Sequence, residues 1–318
     1  MEVPFTAKPH WPDIAPGRLA ASIRSDHAAD CRLALLGLPD DLGVSLNNGR
    51  PGAAEGPRAF RAALARFGVA HDAKRRAPID APIFDAGDIT PAPGCNADSL
   101  RQTHDRVTEA ARALHDAGMI VVCIGGGHDL TFPTVRALSQ SFDAKLGGIN
   151  VDPHLDVRET PGSGMPYRCL IEGGHLDPRR FVELGTGRFV NAPDHCEYAR
   201  SQGVTIVPGD DITTGAYSPQ RAFAHAFSPS HTGAPTLGFV SIDLDCLDAS
   251  VAPGVSAPCP MGLSLPIVAQ IAELAGRCRE VRHFDLMELS PPHDDEGRTA
   301  RVAAMLFLHF VSAFSERG

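Results

Sequence analysis

Apolar runs of strand length alternate with helix-patterned runs down nearly the whole chain, and this alternation restricts the fold more than any other feature. "CRLALLGLP" (31–39), "APIFDAGDI", "MIVVCIGGG", "LGGINVD", "RFVELGTG", "VTIVPGDD", "TLGFVSIDLD" and "VRHFDLMEL" read as strands. Between them, "PRAFRAALARFG" (57–68) reads as a helix with proline at its start and glycine at its end. "DSLRQTHDRVTEAARALHDAG" (98–118) places Leu100, His104, Val107, Ala111 and Leu114 on one helical face. Further helices are expected from about Leu130, in "DHCEYARSQG", "SPQRAFAHAF" and "LSLPIVAQIAELAGRC", and last in "TARVAAMLFLHFV". Strand runs that are apolar on both faces must be covered on both faces. The expected fold is α/β, three layers with a central, mostly parallel sheet. No linker or repeat breaks the pattern, so residues 1–318 are read as one domain, with residues 1–30 an N-terminal extension packed on it.

Composition narrows the partners. At 43% hydrophobic and 21% charged residues the chain can bury a large core. A formal charge of −9 argues against nucleic acid or an anionic membrane. The first residues lack a basic stretch followed by an apolar one, and "VAAMLFLHFV" is about half of a ~20-residue membrane span, so a cytoplasmic location is expected. The eight cysteines are scattered without a C-x-x-C pair and read as free thiols.

In a parallel sheet, ligands bind beyond the carboxyl ends of the strands. Three predicted strand ends carry unusual residues. In "CIGGGHDLTFP", Gly125 to Gly127 are expected to let the chain turn sharply and deliver His128. In "NVDPHLDVRE", Asp152 closes a strand, Pro153 ends its ladder, and His154 and Asp156 follow in the turn. In "LGFVSIDLDCLDASVAPG", alternation places Ser241, Asp243 and Asp245 on one strand face. Burying such carboxylates without cations costs several kcal/mol per charge, in order of magnitude. His128, Asp152, His154, Asp156, Asp243 and Asp245 therefore read as ligands of two divalent cations. A carboxylate-rich set favours Mn2+ over zinc, and the absence of cysteine from it argues against a structural zinc site. The group His293, Asp294 and Asp295 reads more simply as helix-start capping, and His104, His175, His195, His225, His283 and His309 read as packing or surface residues.

"GGGHD", "DPHLD", "SIDLDCLDASVAPG" and "FDLMELSPP", in this order, resemble the arginase/agmatinase/formimidoylglutamase superfamily of ureohydrolases. The resemblance runs from about Leu35 to the last helix. It implies an arginase-like fold, two Mn2+ ions and a homo-oligomer, trimer or hexamer. It also implies hydrolysis of a C–N bond in a linear amidine: the metals acidify a shared water, which attacks the amidine carbon, and an amine leaves. Asp156 would hold and relay the proton, and Glu288 would pair with the cationic group. Ser163 stands about where arginases carry a histidine. "GSGMPYRCLIEGG" and "GVSLNNGRPGAAEGPRAFR" are similar to formimidoylglutamase segments. The small-molecule substrate this favours is N-formimidoyl-L-glutamate, giving L-glutamate and formamide, with Arg168, Arg50 and Ser163 as candidate substrate-binding residues. The alternatives are a guanidino-compound amidinohydrolase releasing urea and a non-catalytic metal-binding scaffold.

Overall fold

The computed structural model describes residues 1–229 and 236–317. Its strands, in chain order, are β1 (Thr6–Ala7), β2 (Leu33–Leu38), β3 (His71–Asp72), β4 (Ala77–Pro78), β5 (Ile83–Ile89), β6 (Ile120–Gly125), β7 (Leu146–Val151), β8 (Leu176–Thr186), β9 (Thr205–Pro208), β10 (Gly238–Asp243) and β11 (Val281–Met287). The helices are α1 (Leu42–Leu46), α2 (Gly56–Arg66), α3 (Ala97–Asp116), α4 (Thr131–Phe142), α5 (Pro166–Glu172), α6 (Pro193–Gln202), α7 (Gly209–Thr213), α8 (Pro219–Phe227), α9 (Leu265–Arg277) and α10 (Arg298–Phe314). Nine strands form one sheet in the order β1-β5-β2-β6-β11-β10-β7-β8-β9, parallel throughout except for the edge strand β1.

Burial on both faces follows the two-residue period of the strands. In β2, Leu33 and Leu35 pack into the layer built by α2, α8, α9 and α10, while Ala34, Leu36 and Leu38 pack against α3. Ile120, Val122 and Ile124 of β6 join the first layer, and Val121 and Cys123 the second. Farther along the sheet, Phe181 and Phe239 meet Tyr167 from α5 and Leu138 from α4 in a third cluster. Helices thus cover both faces, as the doubly apolar strands require.

The elements that pattern reading missed are short. Strand β1, the β3–β4 hairpin, α1 and α7 span two to five residues each, too few to show a period. β8 starts earlier than expected, at Leu176, because the polar stretch Asp177–Arg180 extends the strand.

Residues near the amino end are fastened to β5 by a buried ion cluster. Arg61, 1% exposed on α2, forks onto both oxygens of Asp85 at 2.8 and 2.9 Å and reaches Asp88 at 2.6 Å. Trp11, the only tryptophan, donates its indole N–H to Asp85 Oδ2 at 2.8 Å. Removing the cation strands the fully buried Asp85 carboxylate and leaves the partly exposed Asp88 unpaired. Arg61→Leu is therefore expected to destabilise the fold by about 3–5 kcal/mol. Trp11 fluorescence in urea titrations reads the shift directly.

Candidate active site

Four neighbouring central strands, β6, β11, β10 and β7, end at one crevice, and each delivers part of a polar cluster. β6 ends on Gly125, and Gly126 and Gly127 follow it, none of the three with a left-handed φ. Room, not turning, is what demands them. A Cβ on Gly126 would stand 2.3 Å from the Asp40 carbonyl oxygen and 2.4 Å from that of Leu38, and one on Gly125 would meet Met287 Cε at 2.5 Å. The chain does bend at Gly126 and Gly127 as expected, but it does so without a left-handed φ, and close backbone approach is what requires glycine there. His128 then opens a short 3-10 turn. Its amide donates to Glu288 Oε1 at 2.9 Å, while the Glu288 amide donates to the Gly126 carbonyl at 2.9 Å, clipping the ends of β6 and β11 together.

Beyond β7, the His154 amide donates to Asp152 Oδ1 at 2.6 Å, and Asn191 holds the turn by accepting from the Leu155 amide and donating to the Pro153 carbonyl. Asp156 has φ 46° and Glu288 φ 65°, left-handed conformations uncommon for residues with a Cβ. Such backbone is kept where the surrounding bonds over-determine it, commonly at functional sites. The placement of Asp245 on a strand face is corrected: β10 ends at Asp243, and Asp245 sits in a 3-10 turn, its amide donating to Asp243 Oδ1 at 2.8 Å.

These side chains converge. His128 Nδ1 lies 3.0 Å from Asp152 Oδ2, 3.0 Å from Asp156 Oδ2 and 3.1 Å from Asp243 Oδ2, yet none of the three is aligned with a ring N–H. His154 Nδ1 lies 3.1 Å from Asp152 Oδ1 and 3.4 Å from Asp245 Oδ2. Two compact donor triads result, His128–Asp152–Asp156 and Asp152–His154–Asp245, with Asp152 common to both. Asp245 Oδ1 and Glu288 Oε2 are buried without a protein partner among the described residues. Hard oxygen and imidazole donors packed this way fit two divalent cations.

The electrostatics agree. Burial, reinforced by neighbouring carboxylates, raises the acid pKa of Asp243, Asp156 and Glu288; burial also takes Asp245 to about 6 against the pull of His154. Burial would lower the pKa of both imidazoles. Tyr167 and the carboxylates around His128, and Asp245 and Asp152 beside His154, overcome it and hold both well above the ordinary value. Asp152 alone among the acids of this cluster is held low, because the close His128 imidazole and the hydrogen bond with His154 outweigh its burial.

A second layer orients His128. Its Nε2 faces Ser241 Oγ at 3.0 Å and Tyr167 Oη at 3.1 Å. Ser241 Oγ donates to Asp285, whose other oxygen accepts from Thr131 Oγ1 at 3.1 Å and faces His283 Nε2 at 2.9 Å. Partners of this kind set ring orientation and tautomer in metal sites. His283 is thus a packing residue with a place behind the cluster, and Asp294 caps α10 through the Thr299 and Ala300 amides, matching the capping expectation.

A cavity of about 200 Å³ opens above the cluster, and its walls include Asn47, Arg158, Ser163 and His195. Arg158 donates to Asn47 Oδ1 at 2.9 Å, and Asn47 donates to Ser163 Oγ at 3.2 Å. Ser163 therefore lines the cavity. Arg50 and Arg168 do not line this cavity. Arg50 donates to the Ser256 and Val255 carbonyls, fastening the cavity wall from behind. Arg168 is committed to Glu159 and Glu172 and lies over the Tyr198 ring. Arg158 went unnoticed because it follows the D-x-H-x-D run as an ordinary charged residue; its position two beyond Asp156 was the available signal. His195 lies on α6, far from the motifs in sequence, with no signal to mark it.

The raised carboxyls and imidazoles contribute stability that is full below their unfolded pKa values and is lost as pH rises through the folded ones; Asp152 acts in the opposite sense. Chelator-treated protein should lose melting temperature from about pH 5 to about pH 8, and Mn2+ should flatten the slope by taking the place of the protons. Thermal melts with EDTA and with MnCl2 check this. Asp243→Ala should lower the Mn2+ stoichiometry found by elemental analysis.

The sequence model of the Arginase family matches residues 31–312. The formimidoylglutamase of Citrobacter koseri is 34% identical over 280 residues, covering 86% of this chain and 83% of that protein. The formimidoylglutamase of Nocardia farcinica is 33% identical over 283 residues, with 87% and 85% covered. Among solved structures, Trypanosoma cruzi formiminoglutamase with Mn2+ superposes with a TM-score of 0.86 at 32% identity, covering 95% of this chain and 99% of that one. The proclavaminate amidino hydrolase of Streptomyces clavuligerus shares the fold, with a TM-score of 0.79 at 24% identity, covering 100% of this chain and 98% of that one. On a match of this span, with relatives above 30% identical across most of both chains, the protein belongs to the arginase family.

Proposed function

We propose that the protein is a binuclear manganese hydrolase that converts N-formimidoyl-L-glutamate and water to L-glutamate and formamide. It would act in the cytoplasm as a homo-oligomer, a trimer or hexamer by resemblance. The observation that carries the reading is the pair of donor triads sharing Asp152 at the floor of a cavity whose mouth bears a guanidinium. The relatives' activity supports the choice of substrate. His128, Asp152, His154, Asp156, Asp243 and Asp245 would hold the two ions. Bound there, the pair supplies Lewis acidity and an acidified water near neutral pH.

The chain's own groups would do the rest. Asp156 faces His128 and lines the cavity, so its carboxylate can take the proton given up by the attacking water and pass it to the leaving amine. Glu288 has one oxygen fixed by the His128 amide and the other buried without a protein partner among the described residues. That free oxygen can accept from an amidinium N–H and set the reacting carbon in place. At the mouth, Arg158 can form a fork with a substrate carboxylate, with Asn47 and Ser163 holding its position. A guanidinium there suits a dianionic substrate better than a cationic one such as agmatine.

Mn2+-loaded protein should release formamide from N-formimidoyl-L-glutamate and no urea from arginine, agmatine or guanidinobutyrate. Urea from any of those three would select the amidinohydrolase reading, and no turnover with two ions bound would select the scaffold. Arg158→Ala should lower kcat/KM by roughly 10- to 100-fold, mainly through KM, as expected for losing a charge-assisted bond of about 1.5–3 kcal/mol. Steady-state kinetics on the variant read both constants.

A further inference from the structure

At the opposite end of the strands from the crevice, four arginines gather around the amino ends of the central strands. Arg32 immediately precedes β2, Arg282 is the second residue of β11, Arg279 lies in the turn before β11, and Arg317 follows α10. With Ile120, they line a cavity of about 180 Å³. We infer that this cavity binds a small, doubly charged oxyanion of the sulfate or phosphate type, free or as the phosphate of a monoester.

Three observations carry the inference. First, among the described residues none of the four guanidiniums lies within 4 Å of a carboxylate oxygen, the Glu280 carboxylate acting on Arg317 only through space. Arg317 is buried and donates to the carbonyls of Ala275, Gly276 and Val281; Arg279 donates to the Arg317 carbonyl at 2.6 Å. Second, aromatic faces support the planes. Arg32 and Arg317 each stand 5.0 Å from the Phe314 ring centroid, and Arg282 stands 5.7 Å from that of Phe142. Third, Arg282 spends one N–H on the Gly118 carbonyl at 2.9 Å, while its buried Nε has no protein partner among the described residues. A buried donor of this kind costs free energy unless an acceptor reaches it.

Charge crowding points the same way. Burial lowers the pKa of Arg282, and Arg32 lowers it further; Arg317 falls to about 10, chiefly through burial, with Arg282 and Arg32 adding to it against the opposing pull of Cys278 and Glu280. The chain carries a net charge of −9, so four cations at one spot oppose its average field. An oxyanion relieves their repulsion and matches guanidinium geometry through paired N–H bonds.

Equilibrium dialysis with radiolabelled sulfate at low ionic strength tests the site. One saturable equivalent per chain is expected, weakened about tenfold or more in Arg282→Ala and in Arg279→Ala, and by added salt. Arg279 is exposed, so its variant keeps the test valid if Arg282→Ala fails to fold. Competition by glycerol 3-phosphate places phosphomonoesters in the class, and its failure confines the site to free oxyanions. Sulfate binding that survives in both variants, or that is lost in Arg158→Ala, overturns the assignment. The absence of saturable binding, with the variants altering self-association in sedimentation, would make the cluster a contact between copies and also overturn it.

Discussion

Mutual repulsion among Asp152, Asp156, Asp243, Asp245 and Glu288, all brought to one desolvated crevice, is the force against which the centre of the molecule is built. Two imidazoles offset part of it, and Asp152 is the acid they stabilise most. The others are pushed toward their protonated forms. A fold that gathers so many acids must compensate elsewhere, and the nine-stranded sheet with its two covering layers supplies the apolar burial that allows it.

Delivery of the cluster depends on four adjacent parallel strands ending at one level. Because β6, β11, β10 and β7 are neighbours, residues widely separated in sequence arrive within hydrogen-bond distance. Small residues make that possible: Gly126 lies where a methyl group would strike the carbonyls of Leu38 and Asp40. Behind them, the Ser241–Asp285–His283 set holds His128 from its far side. The cluster is thus supported from the sheet interior, while its open side faces Arg158 and Asn47.

Much of this was legible in the residues. Strand runs with no polar alternation can only be buried twice over, so the three-layer plan followed from β2, β6 and β7 alone. The D-x-H-x-D run placed Asp152, His154 and Asp156 together because a turn after a strand keeps near neighbours near. What escaped notice had a weak local signature or none. Arg158 and Arg168 are alike in sequence, and only tertiary packing commits the second to Glu159 and Glu172 and leaves the first beside the cavity. His195 reaches the cavity from α6 on a length of chain with no motif. Asp245 misled by extrapolation, since a strand period was carried two residues past the point where the ladder stops.

Asp152 turns one oxygen toward His128 and the other toward His154. A single side chain thus belongs to both halves of the centre, and the two halves cannot evolve apart. Replacement by asparagine would keep one acceptor oxygen and exchange the other for an amide donor, setting one half against the other. Loss of a donor that belongs to one triad only would leave the other intact, whereas a change at the shared carboxylate reaches both, and that is what makes the pair of triads a single unit.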